Sequence, residues 1–149
     1  MNQLAVKFRR LTHGADLALP SYATSGAAGL DLAAAISQPI CLKPNMRQVI
    51  PTGFAMALPA GYEAQIRPRS GLALKHGITL ANAPGTIESD YRGEIAVILM
   101  NNGTDDFTIT HGKRIAQMVI AAVIVMEPVE ADDLDDTERA TGGFGSTGL

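Results

Sequence analysis

The apolar residues of this chain recur in short stretches rich in β-branched side chains, and helical periodicity is nearly absent. Such stretches, when turn signals separate them, are typical of the strands of sandwiches and barrels. Seven strands are predicted on this basis, at residues 4–10, 29–33, 48–58, 62–67, 94–100, 107–110 and 114–126. Proline and glycine mark turns between them about every ten residues. The chain is therefore predicted to be all-β.

One short helix is predicted between these strands, at residues 70–77, with Ser70 as its N-cap and Gly77 just after its end. Arg67 and Arg69 lie directly before it. The free N–H groups of a first helical turn and two guanidinium groups can face one anion, and a phosphate would suit such a site. A capped turn with solvated arginines explains this segment equally well when it is judged alone.

Composition fits a single globular domain, with 149 residues of which 46% are hydrophobic and 18% charged. The net charge is −3, but six of the 15 acidic side chains fall within residues 127–136, which contain no lysine or arginine. The remainder has nine acidic and 12 basic side chains, so the folded body is mildly cationic. A small anionic ligand is favoured over a nucleic acid, which would require a larger basic excess and more aromatic side chains.

The single cysteine indicates a reducing compartment, and the histidine spacing bears on whether a zinc site is present. Cys41 is the single cysteine, and the three histidines have no spacing to cysteine or carboxylate that would indicate a zinc site. The amino terminus lacks the apolar core and cleavage site of a signal peptide. The longest apolar run, residues 115–126, is too short to cross a bilayer and contains Gln117. A cytoplasmic protein without membrane contact is predicted.

The carboxy-terminal part is predicted to leave the folded body. Clustered carboxylates repel one another and keep residues 127–136 extended, with a reach of at most roughly 33 Å. The last residues hold Arg139 and one aromatic side chain, Phe144, within a run of glycines, which suits a segment that folds over a ligand. Composition alone favours a disordered end. The predicted division is a β-barrel body at 1–126, an acidic linker at 127–136 and a flexible Gly-rich arm at 137–149.

Five segments carry a more specific signal because they occur in a fixed order along the chain. They are Ala-Gly-Leu-Asp-Leu at 28–32, Pro-Arg-Ser-Gly-Leu-Ala-Leu-Lys-His-Gly-Ile at 68–78, Gly-Thr-Ile-Glu-Ser-Asp-Tyr-Arg-Gly-Glu at 85–94, Arg-Ile-Ala-Gln-Met at 114–118, and residues 139–148. This series resembles the five motifs of the trimeric dUTPase (deoxyuridine 5'-triphosphate nucleotidohydrolase) family. The resemblance implies a jelly-roll-like β-barrel or sandwich, a homotrimer with active sites built from three chains, and Mg²⁺-dependent hydrolysis of dUTP to dUMP and pyrophosphate. That reaction would control the dUTP level and supply dUMP for thymidylate synthesis.

The resemblance also implies a catalytic role for three side chains. Glu88 would activate a water for in-line attack on the α-phosphorus, and Gln117 would help to hold that water. Asp31 would support the surroundings of the Mg²⁺ ion, although an aspartate before a strand is equally often a local cap. Direct protein ligands to the ion are not expected, since Mg²⁺ keeps several waters and binds substrate phosphates.

The remaining matched positions are implied to bind substrate. Arg69, Ser70 and the Gly71 amide would hold the α- and β-phosphates, and Arg139 the γ-phosphate. Asn82 and main-chain groups of the turn from Asn82 to about Ala96 would bind the uracil edge by hydrogen bonds. Tyr91 would pack under the deoxyribose and exclude a 2′-hydroxyl, and Phe144 would cover the base. The predicted substrate contacts are Arg69, Ser70, Gly71, Asn82, Thr86, Ile87, Glu88, Tyr91, Ala96, Arg139, Phe144 and Gly145.

One matched position departs from the family pattern, because Glu88 stands where the family places aspartate. Glutamate keeps the carboxylate but moves its oxygens by about 1 Å, and such a displacement can cost roughly 10²-fold in rate. Asp90 is a less suitable base, since register against Tyr91 favours Glu88. Three alternatives stay open: a dUTP-binding regulator that does not hydrolyse dUTP, a dCTP deaminase of the same fold, and a structural β module without a ligand.

Overall fold

The structure, a computed structural model, describes residues 4–146, and strands dominate its regular elements. The strands are β1 Lys7–Arg10, β2 Leu30–Ala33, β3 Ile40–Leu42, β4 Arg47–Ala57, β5 Tyr62–Arg67, β6 Ile78–Leu80, β7 Gly85–Ile87, β8 Glu94–Asn101, β9 Phe107–Ile109 and β10 Arg114–Ala122. One α-helix, α1 Ser70–His76, and one 3₁₀ turn, Thr12–Gly14, complete them. None of the helices in this part of the chain is long and apolar enough to span a membrane. The predicted all-β class with one short helix is confirmed.

The strands form two four-stranded sheets and a two-stranded one. The first sheet has the order β1-β4-β8-β6, and the second sheet has the order β2-β10-β5-β7. β3 pairs with β9 in the small sheet, and neighbouring strands are antiparallel in each of the described pairs. Two antiparallel sheets facing one another give the jelly-roll-like sandwich that was expected.

Alternation of side chains along the strands places one apolar face of each sheet inside. In β8, Ile95, Val97 and Leu99 are at most 1% exposed, whereas the residues between them face outward. Leu32 and Met118 of the second sheet belong to the same buried cluster. The hydrophobic core therefore lies between the two sheets and fixes how they pack against each other.

A bulge in β4 draws the 3₁₀ turn onto the first sheet. The register against β8 shifts between Pro51 and Ala55, and Gly53 in this stretch has a φ of +77°, which favours glycine. A Cβ on Gly14 would lie 2.8 Å from the Gly53 Cα, so the two glycines allow the backbones to touch. The Leu11 N–H donates to the Gly53 carbonyl at 2.8 Å. This contact fixes the chain beside the start of β8.

Three strands of three residues each escape the sequence prediction, whereas the equally short β9 was predicted within residues 107–110. β3, β6 and β7 are too short for an alternating pattern to stand out from the turns that flank them. β7 lies within the stretch that was predicted to be one long turn. Its pairing with β5 extends the second sheet and carries the third of the five sequence segments to the sheet edge.

The last predicted strand is wrong at its end, because β10 stops at Ala122. Its partner β5 begins at Tyr62, and beyond that point the described chain offers no further strand to pair with. The Val123 N–H makes one more bond, to the Gly61 carbonyl at 2.9 Å. Residues 124–126 are each at least 80% exposed although they are apolar.

Asn101 is a buried polar residue that joins β8 to the end of β3 and to the loop between β8 and β9. Its side chain is fully buried and donates from Nδ2 to the carbonyls of Leu42 and Asp105, at 2.8 Å each. Its Oδ1 accepts the Gly103 N–H at 2.9 Å. All three hydrogen bonds join the Asn101 side chain to backbone groups. Removing this side chain therefore leaves buried polar groups of the backbone without these partners.

Replacing Asn101 with alanine is expected to lower the free energy of unfolding by about 3 kcal/mol. Urea denaturation of the two proteins measures the difference. Asn102→Ala is the matched control, since the neighbouring asparagine is exposed and should change stability by less than about 0.5 kcal/mol. Equal losses in the two variants would contradict the structural role of Asn101.

Candidate functional site

Two arginines and one aspartate meet at the edge of the second sheet. The Asp31 carboxylate of β2 forms ion pairs with Arg69 Nε at 3.2 Å and with Arg114 Nη1 at 2.9 Å. Arg69 Nη1 also donates to the Arg114 carbonyl at 3.2 Å. This Asp31 cluster, composed of Asp31, Arg69 and Arg114, carries one more positive than negative charge and is only partly buried. It is therefore suited to an anion that approaches from solvent.

The register of β10 places Gln117 next to the Asp31 cluster. Gln117 lies opposite Asp31 on β2 and opposite Arg67 on β5. Its Nε2 donates to the Pro68 carbonyl at 3.0 Å. A Cβ on Gly29 would lie 2.9 Å from the Gln117 Oε1, so glycine at that position leaves space for the amide. The side chain is thus oriented with its oxygen free to accept.

The helix α1 starts at the cluster, but its N-cap is Arg69 and the prediction of Ser70 is wrong. Arg69 has extended backbone angles, and its carbonyl accepts the first helical bonds, from Leu72 and Ala73 at 3.0 Å each. Ser70 and Gly71 consequently belong to the first turn, where both are exposed. The predicted end is confirmed, since Gly77 adopts the left-handed conformation with a φ of 67°.

An open pocket of about 460 Å³ lies beside Gln117. It is lined by Gln65, Arg67, Pro68, Ala83, Pro84 and Gln117. Arg67 donates to the Gln65 Oε1 from Nη2 at 2.5 Å, which holds its guanidinium along this wall. A smaller pocket of about 210 Å³ lies at the other end of α1, and its lining contains none of the predicted site residues.

The segment that carries Glu88 and Tyr91 connects β7 of the second sheet to β8 of the first. The Tyr91 N–H donates to the Glu88 carbonyl at 3.2 Å, which closes a turn. The Tyr91 hydroxyl donates to the Glu94 carbonyl at 3.0 Å. Glu88 and Asp90 are exposed, and Tyr91 is 44% exposed. These side chains are available to a ligand or to another chain.

Strand register separates Glu88 from Gln117 within one chain. Gly85 of β7 lies opposite Ile66, so the level of Gln117 corresponds to a position just before β7. Glu88 is about four residues farther along, or roughly 13 Å, and two strands across, or roughly 10 Å. A single chain therefore brings the Asp31 cluster and Gln117 together but leaves Glu88 and Tyr91 outside that group.

Four residues in or near this segment were predicted to bind the uracil, and their surroundings in the structure differ. Asn82 is exposed, and its Nδ2 lies 3.1 Å from the place where a Cβ on Gly85 would be. Thr86 is exposed opposite Gln65, whereas the Ile87 side chain is in the core, so only main-chain groups of Ile87 face outward. Ala96 is not in a turn, because it pairs with Pro51 inside the first sheet.

The arm residues make local contacts only among the described residues. Arg139 Nε donates to the Gly142 carbonyl at 2.9 Å. Phe144 is fully exposed with a φ of 50°, and Gly145 has a φ of 88°. Gly148, which ends the fifth sequence segment, lies outside the described residues. The arm does not contact the Asp31 cluster through any described hydrogen bond or ion pair.

Sequence reasoning missed Arg114 and the role of Glu94. Arg114 opens an otherwise apolar strand three residues before Gln117, and a charge in that place was the available signal. The Glu94 Oε1 accepts the Gly53 N–H at 2.7 Å and lies 2.7 Å from His13 Nε2. No sequence signal links those three residues, because the bulge that joins them is a tertiary feature.

Comparisons with a family model and with known proteins identify the same family of relatives. A family model for dUTPase matches residues 15–148. The deoxyuridine 5'-triphosphate nucleotidohydrolase of Caulobacter vibrioides is 59% identical over 148 residues, which is 98% of this chain and 96% of that protein.

Solved structures of phage enzymes share the fold. A dUTPase mutant of Staphylococcus bacteriophage 80alpha with dUpNHpp has a TM-score of 0.87 at 23% identity, covering 97% of this chain and 99% of that one. A mutant dUTPase from phage phi11 of S. aureus, described with a structural Mg(II) ion, has a TM-score of 0.78 at 22% identity. The match covers 89% of this chain and 99% of the phage chain.

Replacing Asp31 with asparagine is expected to lower the free energy of unfolding by about 1 kcal/mol at low salt, because two guanidinium groups lose their shared counter-charge. The loss should shrink in about 1 M NaCl, where screening is strong. Urea denaturation at the two salt concentrations checks this. Asp106→Asn removes a more exposed ion pair, with Lys43 at 3.5 Å, and should cost less. A salt-independent loss in Asp31→Asn would exclude an electrostatic origin.

Proposed function

Since this chain belongs to the dUTPase family, we propose that it hydrolyses dUTP to dUMP and pyrophosphate at a site to which more than one copy of the chain contributes. The matches to the dUTPase family model and to the Caulobacter vibrioides protein confirm the resemblance of the five sequence segments to this family. The observation that carries the proposal is the Asp31 cluster, which holds two guanidinium groups beside the open first turn of α1.

The phosphates are proposed to bind to Arg69, Ser70 and Gly71. A guanidinium group offers several donors in a plane, and Asp31 keeps that of Arg69 in place before substrate arrives. A Cβ on Gly71 would meet no heavy atom within 4 Å in this chain. Packing within the described chain therefore does not require glycine there, but close approach of a phosphate to the Gly71 amide would.

The reaction is an in-line displacement at the α-phosphorus. A water loses a proton to Glu88 and forms a bond to the α-phosphorus, while the bond to the oxygen that bridges to the β-phosphate breaks and pyrophosphate leaves. Gln117 is proposed to accept from this water through Oε1, since the bond from its Nε2 to the Pro68 carbonyl fixes the orientation of the amide. The charge that builds on the phosphoryl oxygens is met by Arg69 and the amides near Gly71.

Mg²⁺ is proposed to arrive with the triphosphate. No group of three or more histidine, cysteine, aspartate or glutamate residues in the described part of the chain is placed to hold a metal ion. An ion that takes its ligands from phosphate oxygens and water needs no such group of protein side chains. When bound, the ion supplies charge neutralisation at the phosphates. Asp31 already accepts from two arginines, and its remaining lone pairs can accept from water on the ion.

A homotrimer is proposed because two observations indicate that further copies of the chain complete the site and cover its apolar surface. Glu88 lies too far from Gln117 in one chain for both to act on one water. The outer face of the first sheet is also apolar: Val49 is 53% exposed, and its cross-strand neighbour Ile98 is partly exposed. Residues 124–126, which follow β10, are apolar and exposed as well, and exposed apolar surface of this kind is normally covered by a partner. Threefold closure is what the family resemblance implies.

The base and sugar are proposed to bind to the segment after β6. Asn82 and the main chain of Thr86 and Ile87 would bind the uracil edge, which differs from that of cytosine in its donors and acceptors. Tyr91 would pack under the deoxyribose. The family match supports dUTP over dCTP as the substrate.

The arm is proposed to close over the bound nucleotide. Arg139 would reach the γ-phosphate, while Phe144 and Gly145 would cover the base. Residues 127–136 are exposed throughout and can carry the arm to a neighbouring copy. Closure would exclude bulk water from the reaction.

Replacing Glu88 with glutamine is expected to lower kcat by about 10²- to 10⁴-fold, since the base is lost. Glu88→Asp should retain activity, and Asp90→Asn is the control because that side chain is also an exposed carboxylate in the same turn. Pyrophosphate release from dUTP with Mg²⁺ measures all three, with UTP, dCTP and dTTP alongside. Full activity of Glu88→Gln would exclude Glu88 as the base. Binding of dUTP without turnover by the wild-type protein, together with turnover by Glu88→Asp, would instead indicate the regulator.

Deleting residues 139–149 is expected to abolish most turnover of dUTP while leaving the oligomer intact, because the arm makes only local contacts in the described chain. Pyrophosphate release and sedimentation velocity test the two parts. Loss of assembly would show that the arm is structural rather than a cover for the site.

A further inference from the structure

The Tyr91 ring lies against the backbone of Gly93, and this contact needs a glycine. A Cβ on Gly93 would lie 2.5 Å from the Tyr91 Cζ and 3.0 Å from Cε2, and it would be closer still to the hydroxyl oxygen. Gly93 does not have a positive φ, so its backbone conformation is open to other residues. The approach of the Tyr91 ring is what excludes a side chain at this position.

The hydroxyl at the same end of the ring is anchored by Glu94. The Tyr91 hydroxyl donates to the Glu94 carbonyl at 3.0 Å. The Glu94 carboxylate in turn accepts the Gly53 N–H at 2.7 Å and contacts His13 Nε2 at 2.7 Å. The carbonyl that receives the hydroxyl therefore belongs to a residue tied to the β4 bulge, which is a rigid part of the first sheet.

An aromatic ring excludes a ligand atom by clash only if the ring cannot move. Leaving a favoured side-chain conformation costs about 0.5 to 1.5 kcal/mol, and tenfold discrimination requires about 1.4 kcal/mol. A ring that is 44% exposed and unanchored would thus yield to a 2′-hydroxyl at little cost. Contact with Gly93 on one side and with the Glu94 carbonyl at the hydroxyl removes that freedom.

We propose that Gly93 and Glu94 are positioning residues that set the sugar specificity of the enzyme by holding the Tyr91 ring. The inference rests on the proposed function, in which Tyr91 packs under the deoxyribose. The preference for a deoxyribonucleotide then depends on the missing side chain at position 93 as much as on the tyrosine itself.

The test is the ratio of kcat/KM for dUTP to kcat/KM for UTP, because this ratio does not depend on the fraction of active protein. Gly93→Ala is expected to lower it by about tenfold or more, since even a 1 Å displacement of a positioned group has large kinetic effects. Gly26→Ala is the matched control: a Cβ there would meet no atom within 4 Å, and its φ is not in the left-handed region. It should leave the ratio unchanged.

Two further comparisons separate positioning from general damage. Adding Gly93→Ala to Tyr91→Ala should change the ratio by less than about twofold, because the residue acts only through the ring. Glu94→Ala should lower the ratio, and Glu94→Gln should restore it, since an amide oxygen can still accept the Gly53 N–H. Urea denaturation shows whether each variant is folded.

The positioning role is wrong if folded Gly93→Ala discriminates as the wild type does, or if its effect persists in full without Tyr91. Either result leaves dUTP hydrolysis by the wild type, and hence the proposed function, untouched. If the wild type hydrolyses neither nucleotide, the proposed function fails, and the same comparisons are made with dissociation constants for dUTP and UTP. Equal constants for the wild type would then overturn the positioning role as well.

Discussion

The register of β10 between β2 and β5 is the constraint on which the site depends. It puts Gln117 level with Asp31 on one side and Arg67 on the other. A slip of one residue would turn Gln117 into the core and bring the buried Met118 to the surface, since side chains alternate between faces. The core that fixes this register therefore also fixes the polar group at the sheet edge. Fold stability and site geometry rest on the same strand pairings.

Three glycines at the site illustrate three different reasons for a missing side chain. At Gly29 a Cβ would crowd the Gln117 amide, and at Gly93 it would overlap the Tyr91 ring. Gly71 has open space around it, so no neighbour in the described chain requires glycine there. Glycine in the first two cases accommodates a neighbouring side chain of the protein, and in the third it is proposed to leave room for a phosphate. The Gly-rich segments of the sequence are thus informative only once their neighbours are known.

The alternating pattern was sufficient to predict the long strands, and the order of the five segments was sufficient to predict the family. β3, β6 and β7 were missed because three residues give only a weak period, although the equally short β9 was predicted within residues 107–110. The end of β10 was missed because it is set by where its partner begins, at Tyr62. Arg114 was not assigned to the site, since its ion pair with Asp31 joins residues 83 positions apart. Each failure concerns information that lies in tertiary contacts and not in local sequence.

The separation of Glu88 from Gln117 links catalysis to assembly. Within one chain Arg69, the proposed phosphate ligand, is organised around Asp31, whereas Glu88, the proposed base, lies roughly 16 Å from Gln117 across the same sheet. Gln117 is held in the paired strand β10 and Glu88 directly follows the paired strand β7, so a local rearrangement does not close such a gap. A second copy can supply the missing half without moving either end. In the proposed oligomer, the apolar face of the first sheet and the exposed residues 124–126 would bring copies together, so that burial of apolar surface would also complete the site.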